Sequence, residues 1–281
     1  MPRFLVVGHL VQDLVPGGWR LGGTAAYASL TAARLGLEAL VVTSASFVPQ
    51  ELEGVQMHVV PSPVTTQFRN TYEGGRRRQV VAARARPLGL RHIPSAWREA
   101  EIVLLGPVVG EVPVRLAAAF PGALVGACLQ GWLRHIGPGG EVEPRPARRW
   151  RGIEHLRLCQ ALFVSDEDVS PQEAGPVLAL WAQQVPILAY TRGERGAEVA
   201  WKGIWRHIDA FPAVTVDPTG AGDVFAAAFL VALWEGGDAF EAARFASAAA
   251  SLVVEREGLM GVPWREQVAS RLQSYPDIVC R

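Results

Sequence analysis

Apolar positions in this chain form short solid runs, and between them lie stretches with helical spacing. "RFLVVGH" has the length of a strand buried on both faces. The Ala-rich "GGTAAYASLTAARLG" after it, with Gly at both ends, carries the punctuation of a helix. "EALVVTSAS" then predicts a second strand, and strand, helix, strand at this spacing predicts a parallel sheet with crossover helices. The alternation returns in "AEIVLLG" (strand), "VPVRLAAAF" (helix), "GALVGACL" and "ALFVS" (strands) and "VPILAYT" (strand). "SPQEAGPVLALWAQQ" predicts a helix capped by Ser170 with Pro171 at its first position. The strand ends at Gly106, Ser165 and Thr191 lead into polar turns, and open α/β sheets bind ligands at those carboxyl ends.

Two stretches break this rhythm. In residues 55–88, "TTQFRNTYEGGRRRQVVAARA" alternates on either side of Glu73-Gly74-Gly75, which predicts a β hairpin off the main sheet and hence a lid. "GAEVAWKGIWRHI" predicts a second hairpin, turning near Lys202-Gly203. After Asp217 the chain reads as helix. Its strongest apolar run, Val224 to Trp234, has 11 residues, short of the roughly 18 a membrane span needs, so it predicts a core helix. With no repeat, low-complexity tract or linker, residues 1–281 read as a single domain.

Composition narrows the function classes. Acids and bases balance at 27 each, which speaks against a nucleic-acid surface, so an anionic ligand must be held by local geometry. Lys202 is the only lysine among the basic residues, and with 20 prolines this fits a heat-adapted protein. Cys128, Cys159 and Cys280 are odd in number and lack metal spacing, which predicts a reducing cytoplasm. The N-terminal "MPRFLVVGHLVQDLV" is too short to span and meets an acid at Asp13; it reads as a first strand, not a signal peptide. His9, His58 and His207 have no metal-ligand spacing and read as structural or exposed. Arg76-Arg77-Arg78 reads as a solvated hairpin face, and the scattered tryptophans as packing.

The chemistry concentrates in "VDPTGAGDVFAAAFL". A Gly-rich turn opening a helix leaves the first backbone N–H groups without intrahelical partners at the positive end of the macrodipole, where a phosphate can sit. Gly220 and Gly222, flanking the small Ala221, let a ligand approach the backbone closely. Asp223 in the first turn is either a cap or a general base for phosphoryl transfer, and the segment alone leaves both open. The Walker-type GxxxxGK(S/T) loop is absent, as is a GxGxxG after the first strand, which argues against a nucleotide-binding oxidoreductase.

"DPTGAGDVFAAAFL" resembles the C-terminal signature of the ribokinase-like (PfkB) family of carbohydrate kinases, whose core is D-x-x-G-A-G-D. The resemblance runs along most of the chain in order. "GHLVQDL" resembles the family's first strand, "GGTAAYASLTAARLG" its N-terminal signature, "TRGERGAEV" its T-x-G-x-x-G segment and "RFASAAASLVVEREG" its late helix beside the adenine. What the resemblance implies is a three-layer α/β/α fold with a mostly parallel sheet and a small β lid. It further implies ATP and Mg2+ as cofactors, with Asp223 as base and the amides of Gly220, Ala221 and Gly222 as anion hole. Asp13, Gly22, Gly23 and Tyr27 fall at the substrate, and Thr191, Gly193 and Ser247 at the nucleotide.

The chain departs from the family pattern in places. Tyr27 stands where Asn is common, and Ser247 likewise. The N-x-x-E that organises magnesium through water appears as "SDED", placing Ser165 and Asp168 there, with Glu167 as a possible substitute. Asp217 and Thr219 lie where some relatives bind a monovalent cation. "TTQFRNTY", "GRRRQ" and "QGWLR" look most like the branch containing myo-inositol kinases, although Cys128 replaces an acid that often precedes the Gln of "QG". Gln130 or Arg134 could reach substrate. The resemblance thus implies an ATP-dependent kinase acting on a hydroxyl of a sugar or polyol, myo-inositol being the best single guess. The alternatives are a nucleoside or other small-alcohol kinase, or a catalytically silent sugar- or nucleotide-binding protein. A homodimer through the lid is expected, since a β flap presents unpaired edges; a nucleic-acid or membrane partner is not.

Overall fold

Alternate residues along the buried runs face opposite layers. In β1 (Arg3–Val7), Phe4 and Val6 enter one core while Leu5 and Val7 enter the other. This two-sided burial is why the strand reads as a continuous apolar run and why it sits inside a parallel sheet. The computed structural model describes residues 1–73 and 76–281, with the backbone alone at 72–73 and 76–77.

After β1 the chain leaves the main sheet for β2 (Val11–Val15) and β3 (Gly18–Gly22), then returns through α1 (Thr24–Arg34) to β4 (Glu38–Ala45) and β5 (Val55–Pro61). A second excursion makes β6 (Thr66–Glu73) and β7 (Arg76–Ala83), before β8 (Ile102–Leu105) and β9 (Leu124–Cys128) rejoin the centre. A small hairpin, β10 (Arg134–Ile136) and β11 (Val142–Pro144), and the one-turn α2 (Ile153–Leu156) precede β12 (Ala161–Ser165). The remainder runs α3 (Pro171–Ala182), β13 (Ile187–Thr191), β14 (Ala197–Trp201), β15 (Ile204–Ile208), α4 (Ala221–Gly236), α5 (Ala239–Val253) and α6 (Arg265–Ser274).

The central sheet has nine strands in the order β15-β14-β13-β12-β9-β8-β1-β4-β5, parallel from β13 to β5 and antiparallel at β14 and β15. Helices α1, α4 and α5 pack the Phe4 face; the other face is covered by α3 and by Trp132, Trp150 and Trp181, where Trp132 stacks on Trp150 and Trp150 meets Trp181 in a T-shaped contact. The β14–β15 turn is at Lys202-Gly203, both at positive φ, as its sequence predicts. Ser170 and Pro171 do open α3, though the Ser170 side chain makes no capping bond.

The lid differs from its sequence reading. Its four strands run β3-β2-β6-β7, so half of it comes from residues 11–22, and Val55–Pro61 instead pairs in parallel with β4 as the edge of the central sheet. The first strand already ends at Val7, and Pro16-Gly17, with Gly17 at φ 85°, turns β2 back into β3. "VPVRLAAAF" is not an α-helix but a six-residue 3₁₀ segment, Val114–Ala119. Pro121 disfavours helical geometry at Phe120 and cuts it short. Of the Arg run, only Arg78 is described with its side chain, and it is exposed; the Gly74-Gly75 turn and the side chains of Arg76 and Arg77 lie outside the described residues.

The lid root is knit by buried polar groups. His9 donates from Nε2 to the Arg86 carbonyl (2.9 Å), and its Nδ1 shares a hydrogen bond with the Thr66 hydroxyl (2.8 Å), which accepts from Ala85 N–H (3.0 Å). The carbonyl can only accept, which puts a proton on Nε2. Glu111, only 2% exposed, takes the N–H groups of His9, Val108 and Val109 at 2.8–3.1 Å. His9 is therefore structural.

Candidate active site

The carboxyl ends of β9, β12 and β13, the N-termini of α1 and α4, one face of α5 and the lid enclose a cavity of about 780 Å³. Its geometry starts from the Gly220 turn. Gly220 caps α4 at φ 83°, and a Cβ there would lie 2.3 Å from Cδ1 of Tyr27, so the backbone packs directly on that ring. Only glycine satisfies both the left-handed conformation and the contact. Among the described residues, the amides of Gly222 and Asp223 have no hydrogen-bond partner, whereas Ala221 N–H already donates to the Pro218 carbonyl at 3.3 Å. The end of α4 thus offers N–H groups to an anion in the cavity.

Asp223 follows at once in the first turn and lines the cavity. Among the described residues no helix amide donates to its carboxyl, which is what capping would require. Burial pushes this carboxyl up to about 6; a hydrogen bond from the Thr24 hydroxyl and the charge of Arg134 work against burial, and Asp168 and Asp13 work with it. Thr24 fits because Gly106, at the end of β8, leaves room: a Cβ there would be 2.3 Å from Cγ2 of Thr24.

Asp168 stands across the cavity, after β12. Both the N–H (3.0 Å) and the hydroxyl (2.8 Å) of Ser165 donate to its Oδ2, so the S-x-x-D segment folds into a closed turn. Burial raises its pKa, with the Ser165 bonds opposing. Asp13 lines the lid side from β2; on β3, where Gly22 pairs with Val11, a Cβ on Gly22 would meet the Asp13 Oδ2 at 2.4 Å. Gly22 itself is outside the cavity lining and makes space for the acid. Gly23, at φ 85°, caps α1. Tyr27 is buried, and burial followed by the charges of Asp217, Asp223 and Asp13 holds its hydroxyl protonated.

Thr191 and Gly193 line the other half, facing the α5 wall of Ser247, Ala250 and Ser251. Arg192 sits among them with its Nε buried and without a partner, while its terminal nitrogens reach Glu198 (3.1 Å) and His207 (3.4 Å). An orphaned buried donor beside small side chains fits an anionic ligand there. Gln130, Arg134 and Glu167 also line the cavity. Asp217 does not: its carboxylate accepts from the N–H groups of Thr219 (2.9 Å) and Gly258 (3.1 Å), bonds that together with Arg20 outweigh burial and hold its pKa low. Thr219 does reach the cavity.

Thr24, Phe68 and Arg192 are site residues that the sequence reading missed. Thr24 carried a signal, as the polar residue after the Gly pair in an Ala-rich helix; Arg192 lies between Thr191 and Gly193 and Phe68 within the expected lid, but only the fold shows which side chains of those segments reach the cavity.

Residues 157–265 match the pfkB family carbohydrate kinases. A ribokinase from Bacillus subtilis is 45% identical over 135 residues, 47% of this chain and 45% of that protein, so the match spans less than half of the relative's length. A cytidine kinase from Thermococcus kodakarensis is 25% identical over 291 residues, 92% of this chain and 98% of that protein. Among solved structures, a pyrophosphate-dependent kinase in the ribokinase family, complexed with a pyrophosphate analog and myo-inositol, superposes with a TM-score of 0.78 over 95% of this chain and 99% of its own, at 22% identity. The pfkB family carbohydrate kinases are thus matched by sequence in residues 157–265, and the ribokinase-like fold extends along nearly the whole chain.

Proposed function

We propose that this protein is a kinase that moves a phosphoryl group from ATP to a hydroxyl of a sugar or polyol, with myo-inositol the leading single acceptor. The observation that carries the reading is Asp223: a buried carboxyl pushed up to about 6, not used as a cap, on a helix N-terminus where its own amide and that of Gly222 have no partner among the described residues. A base needs to be ionised near working pH and still hold a proton well, and burial tunes it there. Asp223 takes the proton of the acceptor hydroxyl as that oxygen attacks the phosphorus in line. The amides of the Gly220–Gly222 turn receive the charge of the transferring group, with Ala221 contributing once it exchanges Pro218 for the phosphate.

Asp13, Tyr27 and Gln130 hold the acceptor. Thr191, Gly193 and Arg192 face the donor phosphates, and the small residues of α5 with Ser247 leave room for the base. Among the described residues no group of three or more His, Cys, Asp or Glu side chains could hold a metal. Asp168 would hold magnesium through water, and the ion would supply charge neutralisation when bound. The Asp217–Thr219 turn is the place for a monovalent cation, read out by potassium dependence of the same assay.

A nucleoside acceptor is the second reading, favoured by Tyr27 and Phe68 as aromatic lining and by the likeness to the cytidine kinase. The test is a phosphorylation screen over sugars, inositols and nucleosides with ATP and pyrophosphate as donors, repeated with Asp223→Asn. Turnover on a polyol that falls about 10²- to 10⁴-fold in the variant is expected. No turnover on any acceptor by the wild type would leave a silent binding protein and sink the proposal.

A further inference from the structure

Resting on that kinase reading, we infer that Arg134 is a further catalytic residue, a cation that binds the transferring phosphoryl group together with the Gly220–Gly222 amides. The electrostatics of the cavity demand such a group. Asp13, Asp168 and Asp223 all line it, and a phosphoryl group arriving among three carboxyls is repelled unless a positive charge meets it. Arg134 lines the same cavity, and its charge acts on both Asp223 and Asp168, two acids contributed by α4 and by the end of β12. A guanidinium is permanently charged and presents a planar fork that matches phosphate oxygens.

Its placement is built from three sides. Nη1 donates to the Val108 carbonyl at 3.0 Å, and the guanidinium lies over the Phe68 ring of the lid, 5.5 Å from its centre. Val108 is itself pinned through its N–H to the buried Glu111. The β10–β11 hairpin that bears Arg134 is tied to lid strand β7 by Val81 N–H donating to Gly140 O (2.8 Å) and by the Val80–Glu141 bridge. The cation is thus held where the lid, the sheet end and α4 converge, a degree of fixation that phosphoryl transfer exploits.

In the step, the hydroxyl proton passes to Asp223 and the bond between the acceptor oxygen and phosphorus forms. The bond from phosphorus to the leaving oxygen breaks, its electron pair staying with the departing phosphate. Arg134 donates hydrogen bonds to non-bridging oxygens and makes or breaks no covalent bond.

Arg134→Gln and Arg134→Lys in the full chain test this, with circular dichroism and melting curves to confirm folding. Binding of sodium pyrophosphate, measured by calorimetry, needs no acceptor and is expected to weaken about tenfold or more in the Gln variant. With the acceptor from the screen, kcat should fall about 10²- to 10³-fold while the acceptor KM stays within about threefold. The acid limb of the kcat/KM profile should move to higher pH, because the charge that helps keep Asp223 ionised is gone. Arg134→Lys, a point charge without the fork, should recover part of each effect. Unchanged kcat and pyrophosphate binding overturn the assignment, as does a loss confined to acceptor KM, which would make Arg134 an acceptor-binding group. A wild-type chain that binds pyrophosphate but phosphorylates nothing overturns the kinase reading instead.

Discussion

At Asp223, stability and activity pull in opposite directions. Its carboxyl titrates at about 6 in the folded protein against an ordinary value of 3.8, so the native state binds this proton more tightly than the unfolded chain. The stability it contributes is complete below about pH 4 and is lost as pH rises through about 6, the range in which the proposed base would become active. Two outcomes are expected: kcat/KM rises with pH through an apparent pKa near 6, and Asp223→Asn at pH 8 melts above the wild type, by about 1–3 kcal/mol of stability. A variant that melts below the wild type would mean the carboxylate is satisfied rather than strained. Gly220 is the other decisive residue. Gly220→Ala must place a side chain at φ 83° and into the Tyr27 ring, a loss of at least about 1–2 kcal/mol from the backbone alone. Chemical denaturation of the variant reads this directly.

At the scale of elements, the lid is joined to the sheet by hydrogen bonds more than by a hydrophobic interface. Its own apolar cluster among the described residues is small, with Val11, Phe68, Val108 and Val109 at its centre. The Glu111 carboxylate carries the joint, binding the start of the lid and the loop after β8. Glu111→Gln keeps the shape but replaces one acceptor oxygen with a donor facing backbone N–H groups, and should cost about 2–4 kcal/mol in urea unfolding. Since Val108 also holds Arg134, pyrophosphate binding should weaken in the same variant; intact stability would show that the joint is not needed. The β7 edge is partly closed by Gly140 and Glu141, so a lid-mediated dimer is expected to use the β3 edge, where Trp19 is 40% exposed beside Phe47. Sedimentation of a β3 variant carrying Lys in place of Trp19 tests that choice.

In the proposed reaction donor and acceptor share one cavity, so binding should be visible in global stability. At a hundredfold excess over Kd, a ligand bound only by the native state adds about 2.7 kcal/mol. MgATP should therefore raise the melting temperature of the wild type, and to the same extent in Asp223→Asn, because the proposed base would contact the acceptor and not the adenine side. Loss of the shift in the variant would reassign Asp223 to donor binding. Among the described residues, no helix is long and apolar enough to cross a membrane.

The sequence alone determined the buried strands of the central sheet and the Gly- and Pro-marked turns, because these rest on local periods and on Gly and Pro conformation; it did not reveal β3, β10 or β11, and it read the 3₁₀ segment Val114–Ala119 as an α-helix. "DPTGAGD" pointed to its candidate anion site within its own seven residues, through a Gly-rich turn that opens a helix. Only tertiary structure decided which strand pairs with which: Val55–Pro61 belongs to the sheet and Val11–Gly22 to the lid, and alternating apolar residues look the same in either partner. The same holds for the chemistry. Asp223 read as cap or base until burial and its distant neighbours Thr24, Arg134 and Asp168 set its titration, and His9 meets Glu111 across 102 residues of chain. Desolvation and charge act through space, and no pattern along the chain encodes which residues the fold will bring within their reach.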